Sequence, residues 1–96
     1  MGVRRYSRHD RDREARADRL AQECNSGFAA VTIGDLMDAG FEAAEWRCRR
    51  PGCYHYSEPF PLSRYSRAAR PYRLRWQHVC SACGTRGPKL FPVWGG

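Results

Sequence analysis

The sequence predicts a small α+β protein, with one or two N-terminal helices leading into three or four short antiparallel strands. Three observations predict it. Residues 1–40 hold as many acidic as basic residues and carry helix-start and helix-stop signals. Residues 41–96 break into short alternating segments punctuated by Pro and Gly. Two close cysteine pairs, Cys48/Cys53 and Cys80/Cys83, fall at the ends of two such segments. A chain of 96 residues buries only roughly 60–65% of its unfolded surface, so its core gains from a staple.

Residues 9–24 read as an exposed helix with Asp10 at its positive end. Arg8/Asp12, Asp12/Arg16 and Arg19/Glu23 stand at i,i+4, each worth about 0.2–0.5 kcal/mol. The apolar residues are few: Ala15, Ala17, Leu20, Ala21 and Cys24. Such a helix needs a neighbour to pack on, and Asn25-Ser26-Gly27 ends it. Thr32 opens a second, short helix. Its side chain caps the turn, and Asp35 three residues on returns the bond. Leu36 and Met37 face inward, and Gly40 supplies the left-handed stop. The expected division is a charged helical arm over 1–27 and a cysteine-bearing module over 28–96, led by this short helix.

Residues 41–48 alternate as a strand, with Ala44, Trp46 and Cys48 on one face and Glu45 and Arg47 on the other. A return strand is expected over 54–58, ended by Pro59 and Pro61. Residues 63–69 form a helical turn. Residues 72–79 read as a strand, with Tyr72, Leu74, Trp76 and His78 on one face. Residues 89–94 make a last strand, at an edge because Pro92 interrupts it.

The cysteines carry the strongest signal. Cys48-Arg-Arg-Pro-Gly-Cys53 and Cys80-Ser-Ala-Cys83-Gly84 are separated by a hairpin-sized segment. That spacing fits a structural zinc site of four thiolates, with Zn–S near 2.3 Å. Ser81-Ala82 makes one tight turn that offers two sulfurs, and Gly84 takes the positive φ that follows. Pro51-Gly52 folds the longer first loop back as a type II turn. One zinc on four thiolates lowers the formal charge from +7 to +5. His55 and His78 each stand two residues from a cysteine, where either could replace a thiolate; an orienting or core role is the plainer reading. Cys24 reads as a small buried apolar residue.

From Thr32-Ile-Gly-Asp-Leu through Gly40, then Trp46-Arg-Cys48 to Cys53 and Cys80-Ser-Ala-Cys83-Gly-Thr-Arg86, the chain resembles short, uncharacterised bacterial zinc-ribbon proteins. The resemblance covers about two thirds of the chain. It implies the ribbon fold and a bound zinc ion. The class as a whole serves transcription, translation, nucleic-acid enzymes and protein assembly, so it fixes no single function.

Charge separates the two parts. Residues 1–40 are neutral, while residues 41–96 carry the entire +7 excess and ten of the twelve aromatics. Arg47, Arg49, Arg50, Arg64, Arg67, Arg73, Arg75 and Arg86 are the expected binding residues. Guanidiniums fork onto phosphates and aromatics stack on bases, so nucleic-acid binding by an accessory or regulatory protein is the first expectation. The alternative is a protein-binding module, or a phage-type inhibitor of the anti-CRISPR kind, that blocks a partner's nucleic-acid or functional surface. An enzyme is not expected. The glycines are scattered, no H-x-E signature accompanies the cysteines, and carboxylates are scarce in the module. No small-molecule substrate follows from the pattern. No apolar run reaches 18 residues, and acidic residues follow the basic start where a secretory signal needs apolar ones. A cytoplasmic, non-membrane protein is expected, in a compartment where cysteines bind metal rather than pair.

Overall fold

The structure is a computed structural model and describes residues 8–94, with side chains from Ala15 to Val93. Helix α1 runs Arg8–Glu23 and α2 Ile33–Asp38, and β1 follows at Phe41–Arg47. Strand β2 is Phe60–Pro61, a 3-10 turn covers Leu62–Arg64, α3 is Pro71–Arg75, and β3 is Lys89–Trp94. The strands form one antiparallel sheet in the order β2-β1-β3. The α+β expectation is met, with helices first and a small sheet after. Asp10 and the pairs Arg8/Asp12 and Asp12/Arg16 involve side chains outside the described residues.

Local chemistry sets each helix. Buried Ala17 and half-buried Leu20 of α1, with buried Cys24 just past its end, make one stripe at helical spacing. They pack on the core formed by Val31, Ile33, Leu36, Phe41, Ala44, Phe60, Leu62 and Leu90. The α2 capping box is complete: Asp35 N–H donates to Thr32 Oγ1 at 3.1 Å, and Thr32 N–H donates to Asp35 Oδ2 at 2.9 Å. Leu36 is fully buried and Met37 packs beside it.

Strand β3 pairs along the whole of β1, with Trp46 opposite Leu90 and Pro92 opposite Ala44. Its outer edge is partly covered by Asn25, which ends α1. The Asn25 amide donates to Leu90 O at 2.9 Å and accepts from Leu90 N–H at 2.8 Å. The carboxamide thus stands in for one residue of a further strand and blunts the exposed edge.

Two expected strands are corrected. The return strand over 54–58 is reduced to one bridge, Arg47 with Tyr56. Ser57 interrupts the ladder, because its Oγ accepts the Trp46 N–H at 2.8 Å in place of a backbone carbonyl. Pairing resumes only at Phe60–Pro61, opposite Ala44 and Ala43. Residues 72–79 do not form a strand. Pro71, with φ preset, sits in the first turn of α3, and the inward residues Pro71, Leu74 and Arg75 follow i, i+3, i+4 spacing. In so short a window that spacing competes with period-two alternation, and the helical turn won. Only Val79 keeps a strand-like bridge, to Arg86.

Buried Cys24 donates to Ala21 O at 3.2 Å. Burial pushes its thiol up to about 12 from 9.0. The unfolded chain therefore ionises this thiol from about pH 9, while the folded chain keeps it neutral. Its contribution to stability is whole below pH 9 and is lost as pH rises to about 12, some ~4 kcal/mol at ~1.4 kcal/mol per unit. Denaturant unfolding from pH 7 to 11 should show a shallower alkaline loss in Cys24→Ala than in the wild type. Parallel curves would disprove it.

Candidate metal centre

Two hairpins built on one plan present the four sulfurs. In the first, Cys48 N–H donates to His55 O at 2.9 Å and Ser57 N–H to Trp46 O at 2.8 Å. In the second, Cys80 N–H donates to Thr85 O at 2.9 Å and Gly87 N–H to His78 O at 3.1 Å. The first loop has two residues more. They are absorbed by a turn in which Cys53 N–H donates to Arg50 O at 3.1 Å, with Pro51-Gly52 at its centre and Gly52 at φ 90°.

The residue after the second cysteine of each pair takes the left-handed region: Gly84 at φ 77° and Tyr54 at φ 53°. A Cβ on Gly84 would meet no atom within 4 Å, so Gly84→Ala isolates the backbone cost. It should destabilise the metal-loaded protein by about 1–2 kcal/mol, and Tyr54→Gly should relieve part of the same strain. Chemical unfolding of both variants checks this; a neutral Gly84→Ala would contradict it.

Cys48, Cys53, Cys80 and Cys83 come together so that all four Sγ atoms lie within 4.8 Å of one another. Cys48 and Cys83 are 3.6 Å apart, and Cys53 and Cys80 3.7 Å apart. A tetrahedral ion with four thiolates at about 2.3 Å requires sulfurs about 3.8 Å apart, so the cluster fits. The close pairs run across the two hairpins, well beyond the ~2.05 Å of a disulfide.

Backbone donors line the sulfurs. Arg50 N–H donates to Cys48 Sγ at 3.4 Å, and Cys53 and Cys83 receive N–H groups from His55 and Thr85. The Thr85 hydroxyl lies 3.1 Å from Cys83 Sγ. That hydroxyl, then the Thr85 N–H, hold the Cys83 thiol down to about 6. At Cys53 the His55 N–H lowers the thiol, but burial and the other three sulfurs outweigh it and push it up to about 12. In this crowd Cys83 gives up its proton readily, while Cys48 and Cys53 resist losing theirs. A divalent cation removes that resistance.

Neither histidine joins the cluster. His55 Nε2 lies 3.0 Å from Ser81 Oγ, which ties the two hairpins together. His78 packs against Trp46 with ring centres 4.6 Å apart and planes tilted by 34°, its Nε2 lies 3.2 Å from Tyr65 Oη, and burial lowers its pKa.

The expected binding arginines are dispersed. Arg47 pairs with Glu45 at 2.7 Å and packs on the rings of Tyr56 and Phe91. Arg67 pairs with Asp38 at 2.8 Å, and Arg64 lies over Phe60. Arg50 and Arg73 are exposed. Arg75, expected on an exposed face, is instead 7% exposed, because the α3 turn points it inward. Its Nε and Nη2 donate to Gly87 O and its Nη1 to Asn25 O. Arg49 and Arg86 do meet, beside Trp76. Sequence reasoning missed Asn25 and Trp76 as organising residues. Tyr54 was legible in part, since Cys53-Tyr54 aligns with Cys83-Gly84.

Fold and site together define a small α+β metal-binding protein of zinc-ribbon-like architecture. Comparison with protein-family models, with curated proteins and with solved structures finds no significant match to this chain. Among the described residues, no helix is long and apolar enough to cross a membrane.

Proposed function

We propose that this is a zinc-ribbon protein, of the short bacterial kind its sequence resembles, that binds nucleic acid as an accessory or regulatory factor. Zinc is the ion that an all-thiolate, tetrahedral set favours. Such a site leaves no open coordination position and stiffens both hairpins. The observation that carries the reading is the uncompensated basic surface beside the metal hairpins. Among the described residues, only Arg47 and Arg67 have carboxylate partners. Arg49, Arg50, Arg73 and Arg86 remain exposed and unpaired with acid.

Elemental analysis should give one zinc per chain. Anisotropy with a labelled 20-mer should show affinity falling about 100-fold from 50 to 200 mM salt, as expected for four neutralised phosphates. Arg50→Ala with Arg73→Ala should weaken binding regardless of sequence. No binding at 50 mM salt would refute the reading.

A second reading, a protein-binding module, is favoured by Phe28. It stands fully exposed between α1 and α2, and Tyr54 and Val79 are exposed on the metal hairpins. That reading predicts a stoichiometric protein complex that Phe28→Ser breaks, in a chain with no nucleic-acid affinity.

A further inference from the structure

We infer that Arg49, Arg86 and Trp76 form the contact point for one unpaired nucleotide, its phosphate on the two guanidiniums and its base against the indole. This rests on the nucleic-acid reading above.

Three segments distant in sequence converge here: the first metal loop, the end of the second hairpin, and the end of α3. Arg49 Nε donates to Arg86 O at 3.1 Å, and Arg86 Nη1 donates to Trp76 O at 3.3 Å. The Arg49 and Arg75 guanidinium carbons lie 5.6 and 4.6 Å from the Trp76 ring centre. Two guanidiniums thus lie against one indole and a third bonds the same residue's carbonyl, with no carboxylate paired to Arg49, Arg75 or Arg86 among the described residues. Such a cluster is unfavourable until an anion joins it. Arg75 spends its donors on Gly87 O and Asn25 O, so it sets the scaffold. Arg49 uses only Nε and Arg86 only Nη1, and both side chains are exposed. Their remaining N–H groups have no acceptor among the described residues, and phosphate oxygens match such forks.

The indole is held in place and still reachable. A Cβ on Gly87 would come 2.4 Å from Trp76 Cζ3, so the ring lies directly on the backbone of the second hairpin. The edge-on Tyr72 ring sits 6.3 Å away. Even so, Trp76 is 38% exposed. An exposed indole amid guanidiniums suits an unstacked base, which a duplex keeps covered. Arg73, exposed one turn earlier, is placed for a neighbouring phosphate.

The test uses the zinc-loaded chain, a single-stranded thymidine 12-mer and a duplex of equal length at 50 mM salt. The single strand should bind at least tenfold tighter. Trp76→Ala should weaken single-strand binding about tenfold with an unchanged salt slope, and Trp76→Tyr should restore most of it. Arg49→Ala and Arg86→Ala should each lower the salt slope by about one. Should Trp76→Ala fail to fold, the wild-type indole N–H resonance decides. Assigned by its loss in Trp76→Phe, it must shift when the 12-mer is added. Equal binding of both nucleic acids with that resonance unmoved overturns the contact point and leaves the nucleic-acid reading standing. Binding of neither removes that reading and the contact point with it.

Discussion

Stripping the metal with a strong chelator, or replacing Cys80 with serine, is expected to disorder both metal hairpins and to cost most of the protein's stability. The large buried apolar residues belong to the helices, the sheet and the Leu62 turn. Between residues 48 and 57 none is buried, and the second hairpin contributes buried Cys80 with Gly87 and Pro88 at its end. The hairpins therefore have little apolar packing to hold them once the sulfurs are released. Structural zinc in small domains supplies about 10–16 kcal/mol of folding free energy, comparable to the ~5–15 kcal/mol net stability of a whole domain. Amide exchange should show protection lost over residues 46–57 and 78–87, along with a collapse of the unfolding midpoint. Cys24→Ser should leave the metal stoichiometry at one. Unchanged protection after complete chelation would show that the metal has no structural part.

The second large effect is expected at Arg75. Its guanidinium ties the end of α1, at Asn25 O, to the second hairpin, at Gly87 O, from a buried position. Burial, and after it the nearby Arg49 charge, push its pKa below the ordinary arginine value. The group is nonetheless retained, because it satisfies two main-chain carbonyls at once. Arg75→Ala leaves those carbonyls without their charged donor and opens a void, a loss of about 3 kcal/mol. At ~4–8 °C per kcal/mol, the melting temperature should fall by about 15 °C. Arg75→Lys should rescue little, since one ammonium cannot reproduce the fork. Wild-type stability in Arg75→Ala would mean these bonds are incidental.

The parts legible in the sequence are those fixed within five or six residues. Thr32 and Asp35 cap α2 whatever lies around them. Pro51-Gly52 turns because one ring presets φ and the next residue has no Cβ, and Gly84 accepts φ 77° for the same reason. The four-cysteine cluster followed from thiolate chemistry and loop spacing. The alternation over 72–79 misled because its physical decision was not local. One turn of helix from Pro71 buries Pro71 and Arg75 and packs Leu74 on the core, and this packing outweighs the strand propensity of Tyr72 and Trp76.

Sequence by itself determined the four cysteines that cluster, the turns that carry them, the α2 cap and the surplus of positive charge. Tertiary structure decided where that charge went. It buried Arg75, set Asp38 against Arg67, and left Arg49 and Arg86 beside Trp76 without an acid among the described residues. The reason is that a turn or a metal loop is specified by its own dihedrals and donor atoms. The fate of a long charged side chain depends on which distant backbone carbonyls, carboxylates and rings the folded chain brings within its reach.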